Sequence, residues 1–372
     1  MIKKNLILYY PSFERGGVEE NLKNLINNFS NELNLHLISS LESSKSRKIF
    51  KKRCHIHNTK KISLLKFLPK RINLAISSMA ILFKLIKKNK KKNLIIHSMQ
   101  SNVAAIIICL ILRVKIVIRN SEDPIYSTIY SENKVFSYLF FLSKIVFYNL
   151  CDGIITNSIG SGRSLKLFLL NKTKVQAIYN PYLRKKNNKK FKKERIIINI
   201  GRFRKQKNQL LLIRAFSKFN YKIKGYKLYL IGDGILKNRL IEEAEKLGIK
   251  EKVYFIGWVK NTSKYIKKAK LFVLPSLYEG LGNVLIDAIN FNVPCISTNC
   301  KSGPNEILMN NKGGFIIRNK DETDLYKKML YCIKNYDVSL KKNNYAKKYL
   351  SRFLTIKQVK KYEEYLMKFC NN

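Results

Sequence analysis

The chain has 372 residues, of which 46% are apolar, and 73 Lys and Arg against 24 Asp and Glu give it a formal charge of +49. The length predicts two domains, and the apolar fraction excludes wholesale disorder. Such a positive field attracts polyanions, whether nucleic acid, an anionic membrane surface or a phosphorylated substrate. A compositional bias toward Lys is the alternative explanation of the charge.

The first half of the chain alternates apolar strands with amphipathic helices. Two of these helices are predicted at Val18–Phe29 and Val135–Leu150. Continuous Ile, Val and Leu strands separated by helices predict a parallel sheet covered on both faces. The strands are predicted at residues 5–10, 35–40, 93–98, 115–120, 153–158 and 175–180.

The same alternation restarts after a basic stretch, 184–195, which has no apolar periodicity and predicts a linker. Strands are predicted there at residues 195–201, 227–234, 253–258, 271–276, 294–299 and 313–319. We predict an N-terminal domain over 1–183, a linker over 184–194, a C-terminal domain over 195–348 and a final helix over 349–372 that packs back on the N-terminal domain. Two doubly wound units predict a cleft, with ligands at the carboxyl ends of the strands.

Cysteine usage and the length of the apolar runs indicate a cytosolic protein without a membrane span. Seven scattered cysteines without a CxxC pair indicate buried thiols in a reducing cytosol. Cys54–His57, CHIH, predicts alternating strand residues rather than a metal site, because no partner ligands stand at zinc-like spacing. Val103–Leu112 predicts a buried helix, since a membrane span needs about 20 apolar residues. The N-terminal run is too short for a signal peptide, so we expect a soluble or peripheral protein.

Two strand-to-helix junctions favour a bound phosphate. Gly16 and Gly17 follow the first strand, where paired glycines let backbone N–H groups approach an anion at a helix N-terminus, although a tight turn explains them equally well. Arg202 and Lys207 follow the strand that ends at Gly201, and a guanidinium and an ammonium at this position suit a diphosphate. The absence of a GxGxxG motif argues against a nicotinamide enzyme.

The third junction, PSLYEGLGNVLIDA at Pro275–Ala288, carries two acids. Glu279 precedes Gly280 and Gly282 in the loop, and Asp287 lies two helical turns further on, on a face that can point toward the cleft. A carboxylate accepts hydrogen bonds from adjacent sugar hydroxyls. The junction therefore favours a sugar-binding site over a plain surface turn.

Taken together, these motifs resemble those of the family 4 retaining glycosyltransferases, which have the GT-B fold. The resemblance rests on GGVE at 16–19, NS at 157–158, YNP at 179–181, GRxxxxK at 201–207, LIGDG at 230–234 and the Glu-(seven residues)-acid pattern inside PSxYEGxG. The loop SGPNEIL at 302–308 further resembles the bacterial branch that builds surface polysaccharides and lipid-linked oligosaccharides. The resemblance implies an α/β fold of two Rossmann-like, doubly wound parallel-sheet domains facing across a cleft.

It also implies roles for individual residues. Glu279, His97, Arg202 and Lys207 would be catalytic, with Glu279 on hydroxyls of the transferred sugar and His97 beside it. The donor site would comprise Gly16, Gly17, Arg202, Lys207, Gly280, Leu281, Gly282, Asn283 and Asp287. Asp287 would bind the ribose, where the family usually has the longer Glu, and Arg119 would neighbour the acceptor or the phosphates.

The implied reaction is retaining transfer of a hexose or N-acetylhexosamine from a nucleotide sugar, a UDP-sugar in our expectation, to a glycan acceptor with an α-linkage. No DxD motif is present, and the cationic pair would do a metal's work on the leaving diphosphate. We therefore expect no cofactor and no metal.

The expected partners are the donor, a polyprenyl-diphosphate-linked acceptor and the anionic inner face of the cell membrane, to which basic and aromatic residues between Lys45 and Lys92 would bind. A solvated basic helix is the alternative for that stretch.

A nucleotide-sugar epimerase of the same fold is the alternative function. A nucleic-acid-binding protein is a remote one, because no recognition-helix or RNP-type pattern accompanies the charge.

Overall fold

Two parallel sheets follow one another along the chain in the computed structural model, which describes residues 3–13, 16–41, 49–50, 54–89 and 93–371. The first sheet contains β1 (Lys4–Tyr9), β2 (Leu33–Ser39), β3 (His55–Asn58), β4 (Leu94–Ser98), β5 (Val117–Asn120), β6 (Gly153–Thr156) and β7 (Val175–Ala177). The second contains β8 (Ile196–Ile200), β9 (Lys227–Ile231), β10 (Val253–Gly257), β11 (Leu271–Leu274), β12 (Cys295–Thr298) and β13 (Phe315–Ile317).

Helices cover both faces of each sheet. In the N-terminal half they are α1 (Gly17–Asn28), α2 (Lys70–Lys88), α3 (Asn102–Leu112), α4 (Pro124–Ile129), α5 (Lys134–Asn149) and α6 (Ile159–Lys166). In the C-terminal half they are α7 (Gln209–Lys222), α8 (Lys237–Lys246), α9 (Ser263–Ile266), α10 (Asn283–Asn290), α11 (Pro304–Ile307), α12 (Glu322–Lys334), α13 (Tyr336–Lys348) and α14 (Thr355–Met367). Short 3₁₀ turns lie at Ser63–Leu65, Lys205–Lys207, Lys250–Lys252 and Leu350–Phe353.

The strand order places a topological switch point in each sheet. The first sheet runs β3-β2-β1-β4-β5-β6-β7 and the second β10-β9-β8-β11-β12-β13, with parallel pairing throughout. The order reverses between β1 and β4 in one sheet and between β8 and β11 in the other. Ligands of doubly wound sheets bind outside the carboxyl ends of the strands at such points. The predicted α/β architecture of two doubly wound sheets is confirmed.

The sequence pattern located most elements to within a few residues. The predicted helix at Val18–Phe29 is α1, and that at Val135–Leu150 is α5. The buried helix predicted at Val103–Leu112 is α3, although Leu110 and Ile111 are exposed on its outer side. Among the described residues, no helix combines the length and the hydropathy needed to cross a bilayer.

The CHIH stretch forms edge strand β3, as its alternation predicts. His57 Nε2 lies 3.1 Å from His36 Nδ1 on the neighbouring β2. Burial and the nearby histidines lower the pKa of His36 to about 4, so this imidazole is neutral near pH 7. Within the described residues, no group of three or more His, Cys, Asp or Glu side chains is arranged to hold a metal ion.

Packing links the C-terminal helix to the first sheet. Val359, Tyr362 and Leu366 of α14 share one hydrophobic cluster with Leu6 and Leu8 of β1. The chain therefore starts and ends in the same core, while residues 184–194 between the sheets contain neither helix nor strand. The two sheets fall inside the predicted domain ranges, and the exact boundaries stay a prediction.

Candidate functional site

The loops after β8 and β11 lie side by side, because these two strands pair at the switch point of the second sheet. The backbone N–H of Leu277 donates to the carbonyl of Gln206 at 2.8 Å, and Gln206 Nε2 donates to the carbonyl of Tyr278 at 3.1 Å. These two bonds hold the basic loop that carries Arg202 and Lys207 against the acidic loop that carries Glu279.

Lys207 and Glu279 form an ion pair at the centre of this junction. Lys207 Nζ lies 2.6 Å from Glu279 Oε1, and the two side chains are 19% and 7% exposed. Ser276 Oγ donates to the same carboxylate oxygen at 2.6 Å, and Ser302 Oγ donates to the Glu279 carbonyl at 2.6 Å. The carboxylate is thus fixed at a strand end with a cation on one side, 72 residues away in sequence.

Glycines allow the basic loop to fold tightly and to approach the other half of the molecule. A Cβ at Gly201 would lie 3.2 Å from Lys207 Cδ, so the lysine stem packs over the bare backbone. A Cβ at Gly16 would lie 2.6 Å from Arg202 Nη2, so the guanidinium lies against the turn that begins α1. A Cβ at Gly17, in contrast, would meet nothing within 4 Å. The two predicted phosphate-binding elements therefore face each other.

Gly280 lies where the two halves approach closely. A Cβ at this position would lie 2.0 Å from the carbonyl oxygen of Ser121 and 2.5 Å from Asn157 Nδ2, which belong to the loops after β5 and β6. Gly282 has a φ of +84°, in the left-handed region that favours glycine, and it precedes the first turn of α10. The acidic loop is therefore glycine-rich for two reasons, close contact and backbone conformation. Leu281 between them is buried.

Asp287 and Asn283 contact the stretch of the N-terminal half that follows β7. Tyr182 Oη donates to Asp287 Oδ2 at 2.5 Å, and Asn180 Nδ2 donates to Asn283 Oδ1 at 2.9 Å. Burial raises the pKa of Asp287 to about 6, and the bond from Tyr182 opposes part of that rise. The contact with Tyr182 was not foreseen from sequence, and the ribose role of Asp287 stays a prediction.

His97 and Arg119 are both buried at the ends of neighbouring strands. His97 is fully buried at the end of β4, where its Nδ1 pairs with the carbonyl of Val117 at 3.1 Å and its ring packs edge-on against Tyr362. Burial lowers the pKa of His97 to about 3, so the imidazole is neutral. Arg119 Nη2 donates to Asn180 Oδ1 at 2.5 Å. The structure therefore gathers Gly16, Arg202, Lys207, Glu279 and Gly280 into one place, and it sets His97 apart in the core.

Glu306 is an interdomain contact that the sequence analysis did not identify. Its carboxylate accepts hydrogen bonds from the backbone N–H groups of Ile159 and Gly160 at 3.0 and 2.8 Å, and from Tyr179 Oη at 3.0 Å. It thus caps the N-terminus of α6 from the opposite half of the molecule. Glu306 lies in the SGPNEIL loop that the sequence analysis singled out. The neighbouring residues of that loop do not indicate that its partner is the N-terminus of α6.

A stacked tyrosine pair at the edge of the site was also missed. Tyr130, which follows α4, stacks on Tyr278 with ring centroids 6.1 Å apart and planes 5° apart. Tyr278 directly precedes Glu279, so the turn between α4 and α5 borders the acidic loop. Lys320 adds its ammonium 4.9 Å from the Tyr130 ring centroid.

Known glycosyltransferases are similar in sequence to parts of this chain. Residues 183–349 match the model of the family "Glycosyl transferases group 1". An uncharacterized glycosyltransferase of Methanocaldococcus jannaschii is 35% identical over 247 residues, which are 61% of this chain and 60% of that protein. N-acetylgalactosamine-N,N'-diacetylbacillosaminyl-diphospho-undecaprenol 4-alpha-N-acetylgalactosaminyltransferase of Campylobacter jejuni is 27% identical over 261 residues, 68% of this chain and 70% of that protein.

Solved structures share the whole architecture. Anabaena HepE in complex with UDP superposes with a TM-score of 0.75 at 16% identity, over 98% of this chain and 100% of that one. The fold of this protein is therefore GT-B, as predicted. The C-terminal half of this chain is thus similar to the glycosyl transferases group 1, and the solved structures show the fold of the whole chain.

Proposed function

From the match of residues 183–349 to the glycosyl transferases group 1, we propose that this protein is a retaining glycosyltransferase. It moves a hexose or N-acetylhexosamine from a UDP-sugar to a glycan acceptor and forms an α-glycosidic bond. The observation that carries the proposal is the ion pair of the half-buried Lys207 and the buried Glu279, 2.6 Å apart, at a switch point that faces the Gly16 turn. The Lys207 ammonium can bind phosphate oxygens there, and the Glu279 carboxylate beside it can accept hydrogen bonds from sugar hydroxyls.

The proposed chemistry distributes the donor over these groups. Arg202 and Lys207 bind the diphosphate and stabilise the charge that develops on it as the sugar–phosphate bond breaks. Backbone N–H groups at Gly16 and Gly17 add to this at the N-terminus of α1. Glu279 accepts hydrogen bonds from hydroxyls of the transferred sugar, beside the backbone of Gly280. When the donor enters, Lys207 exchanges part of its contact with Glu279 for phosphate oxygens.

Retention follows in this proposal from attack on the same face as the departing diphosphate. The acceptor hydroxyl attacks the anomeric carbon, the sugar–phosphate bond breaks, and the hydroxyl proton passes to the leaving phosphate oxygen. Arg202 and Lys207 hold that oxygen in place for the transfer. His97 is neutral and fully buried, so this proposal gives it no part in the proton transfer, and its predicted place beside the donor sugar stays a prediction.

The proposed acceptor is a glycan on a polyprenyl diphosphate, and the product is a step in cell-surface polysaccharide synthesis. The name of the Campylobacter relative includes diphospho-undecaprenol, which supports this choice. An enzyme acting on such an acceptor works at the cytoplasmic face of the membrane. The net charge of +49 favours that anionic surface.

A donor screen with an added acceptor tests the function. Purified protein is incubated with a panel of UDP- and GDP-sugars and short lipid-linked glycans, and released nucleoside diphosphate is measured. We expect release only when donor and acceptor are both present, and an α-anomeric product by NMR. Turnover of a nucleotide sugar without acceptor would instead indicate an epimerase.

Metal independence is tested in the same assay. The proposed cationic pair replaces a divalent ion at the leaving diphosphate, so addition of a chelator leaves the rate unchanged. Loss of turnover in chelator that returns with Mg²⁺ or Mn²⁺ would contradict this.

A further inference from the structure

Helix α5 presents an apolar stripe to solvent. Val135, Leu139, Leu142 and Val146, here called the α5 stripe, are 73%, 59%, 41% and 58% exposed. Their spacing of four, three and four residues places them on one face of the helix. Three further exposed aromatic side chains flank the stripe, Phe136, Tyr138 and Phe140.

The fold itself does not require this stripe. The inner side of α5 provides the packing, through Phe141 against Phe168 with ring centroids 5.2 Å apart and through the buried Tyr148. Soluble monomers seldom expose a contiguous apolar patch of this extent unless it binds something. The stripe therefore points to an apolar partner.

Charge around the stripe indicates the kind of partner. Helix α5 contains the exposed Lys134 and the half-buried Lys144, and no Asp or Glu. Exposed cations on the adjoining α3–β5 and α6–β7 segments are Arg113, Lys115, Arg163 and Lys172, against exposed Glu132 and Asp152. An apolar helix face with a basic rim is the pattern that inserts into the interface of an anionic bilayer.

The position of α5 ties this surface to the candidate site. The chain runs from Tyr130, which stacks on Tyr278 beside Glu279, into the first turn of α5 at Lys134. A bilayer lying on the stripe is thus next to the edge of the cleft. A glycan on a membrane-embedded lipid would reach the donor loop from that edge.

We propose that the α5 stripe docks this protein on an anionic lipid bilayer. The docking surface is argued from α5 alone, and only its role, the delivery of a lipid-linked acceptor, rests on the proposed function. It moves the membrane contact from the predicted stretch between Lys45 and Lys92 to α5. In that stretch, residues 45–48, 51–53 and 90–92 lie outside the described residues, and Leu64, Phe67 and Ile76 are exposed large apolar side chains among the described ones.

Vesicle flotation tests the proposal with two matched variants of the full chain. The stripe variant carries Val135→Ser, Leu139→Ser, Leu142→Ser and Val146→Ser. The control carries Tyr221→Ser, Val338→Ser and Ile356→Ser, which are exposed apolar residues on α7, α13 and α14. Vesicles are phosphatidylcholine alone or mixed with phosphatidylglycerol. We expect wild type and control to bind the mixed vesicles, and the stripe variant to bind at least about tenfold less.

Other outcomes overturn the proposal. Equal binding by all three proteins, or no binding by wild type, removes α5 as the membrane contact. A wild-type dimer that becomes monomeric in the stripe variant, seen by sedimentation velocity, assigns the stripe to a second copy. Activity on a short-chain, water-soluble acceptor separates the two proposals, since the stripe variant keeps it if the donor site works. Vesicle binding through α5 without transfer to any acceptor would refute the function and leave the docking surface standing.

Discussion

Arg202 and Lys207 differ from their basic neighbours Arg204 and Lys205 in what surrounds them. Arg202 lies against Gly16 and Lys207 pairs with Glu279, whereas Arg204 and Lys205 are exposed on the same loop. Net charge is identical in all four single substitutions to Ala. Comparing the four Ala variants therefore distinguishes the effect of a positioned cation from the effect of overall positive charge.

Arg202→Ala and Lys207→Ala should each lower kcat by roughly two to three orders of magnitude. The reason is loss of a charge-stabilising contact to the leaving diphosphate, which costs about 3–4 kcal/mol in the barrier. Initial rates of nucleoside diphosphate release measure the effect. Arg204→Ala and Lys205→Ala are the controls and should retain near-normal rates. Comparable losses in all four variants would show that only the overall charge matters.

Asp287→Asn should stabilise the protein more at pH 8 than at pH 4. Burial raises the pKa of Asp287 from 3.8 to about 6, so the folded state favours the protonated acid. That contribution to stability is complete below pH 3.8 and is lost as the pH rises through about 6. Asn mimics the protonated form and still accepts the bond from Tyr182, so its gain in Tm appears only at the higher pH.

Thermal melts at the two pH values measure the Asp287 effect, with the exposed Asp337→Asn as control. The same variant should bind UDP more weakly if Asp287 holds the ribose. A Tm gain that does not depend on pH would contradict the assigned cause. Unchanged UDP affinity would remove the ribose role while leaving the stability argument intact.

At the scale of elements, most of the alternation of strand and helix could be predicted because it depends on local pattern. Strands such as β1, β4 and β8 are buried on both faces, so they read as unbroken apolar runs. Strand ends were placed less well, and β12 and β13 stop one or two residues before the predicted ends. Loop hydrogen bonds, rather than residue type, decide where pairing stops.

The cap on α6 is an element-scale feature that local pattern could not reveal. Ser158 caps the helix in sequence, its side chain accepting from the Ser161 N–H at 3.1 Å. Glu306 satisfies the two preceding N–H groups from 146 and 147 residues away. The helix N-terminus is therefore completed only when the two halves meet.

Glu306→Gln should weaken the contact between the halves by about 1–3 kcal/mol. The amide removes the charge that faces the α6 dipole, and its NH₂ group would confront backbone N–H donors. Denaturant unfolding measures the loss. Glu322→Gln is the control, since its pair with Lys218 at 2.7 Å lies at the surface, with Lys218 exposed and Glu322 half-buried, and surface pairs contribute about 0–1 kcal/mol. Equal losses in the two variants would show that Glu306 contributes no more than a surface pair.

For the whole molecule, the contact at Gly280 decides how closely the halves approach. The Ser121 carbonyl and Asn157 amide lie where a Cβ would stand, so this loop tolerates no side chain in the observed arrangement. Hydrogen bonds from Asn180 to Asn283 and from Tyr182 to Asp287 add polar contacts along the same boundary. The arrangement is thus a closed one, held by backbone proximity and side-chain bonds together.

Gly280→Ala should open the cleft and lower the rate of transfer. The added methyl group forces the acidic loop away from the loops after β5 and β6, which separates Arg202 from the Gly16 turn. Small-angle scattering should show a larger radius of gyration than for wild type. Gly248→Ala is the control for a glycine replacement away from the contact, because its Cβ meets nothing within 4 Å, and any cost of its left-handed φ of +64° falls on stability rather than on the approach of the halves. An unchanged radius with full activity would contradict the contact.

The sequence by itself determined the two doubly wound sheets and the candidate residues at their strand ends. It did so because apolar runs, glycines and charged residues at junctions act through neighbours a few positions away. Only the tertiary structure decided which of those residues meet. Lys207 contacts Glu279 because parallel pairing brings their loops to one edge of the second sheet. Glu306 contacts α6 because the two halves lie against each other. His97 matched the motif yet lies in the core, since the helix that buries it, α14, comes from the other end of the chain.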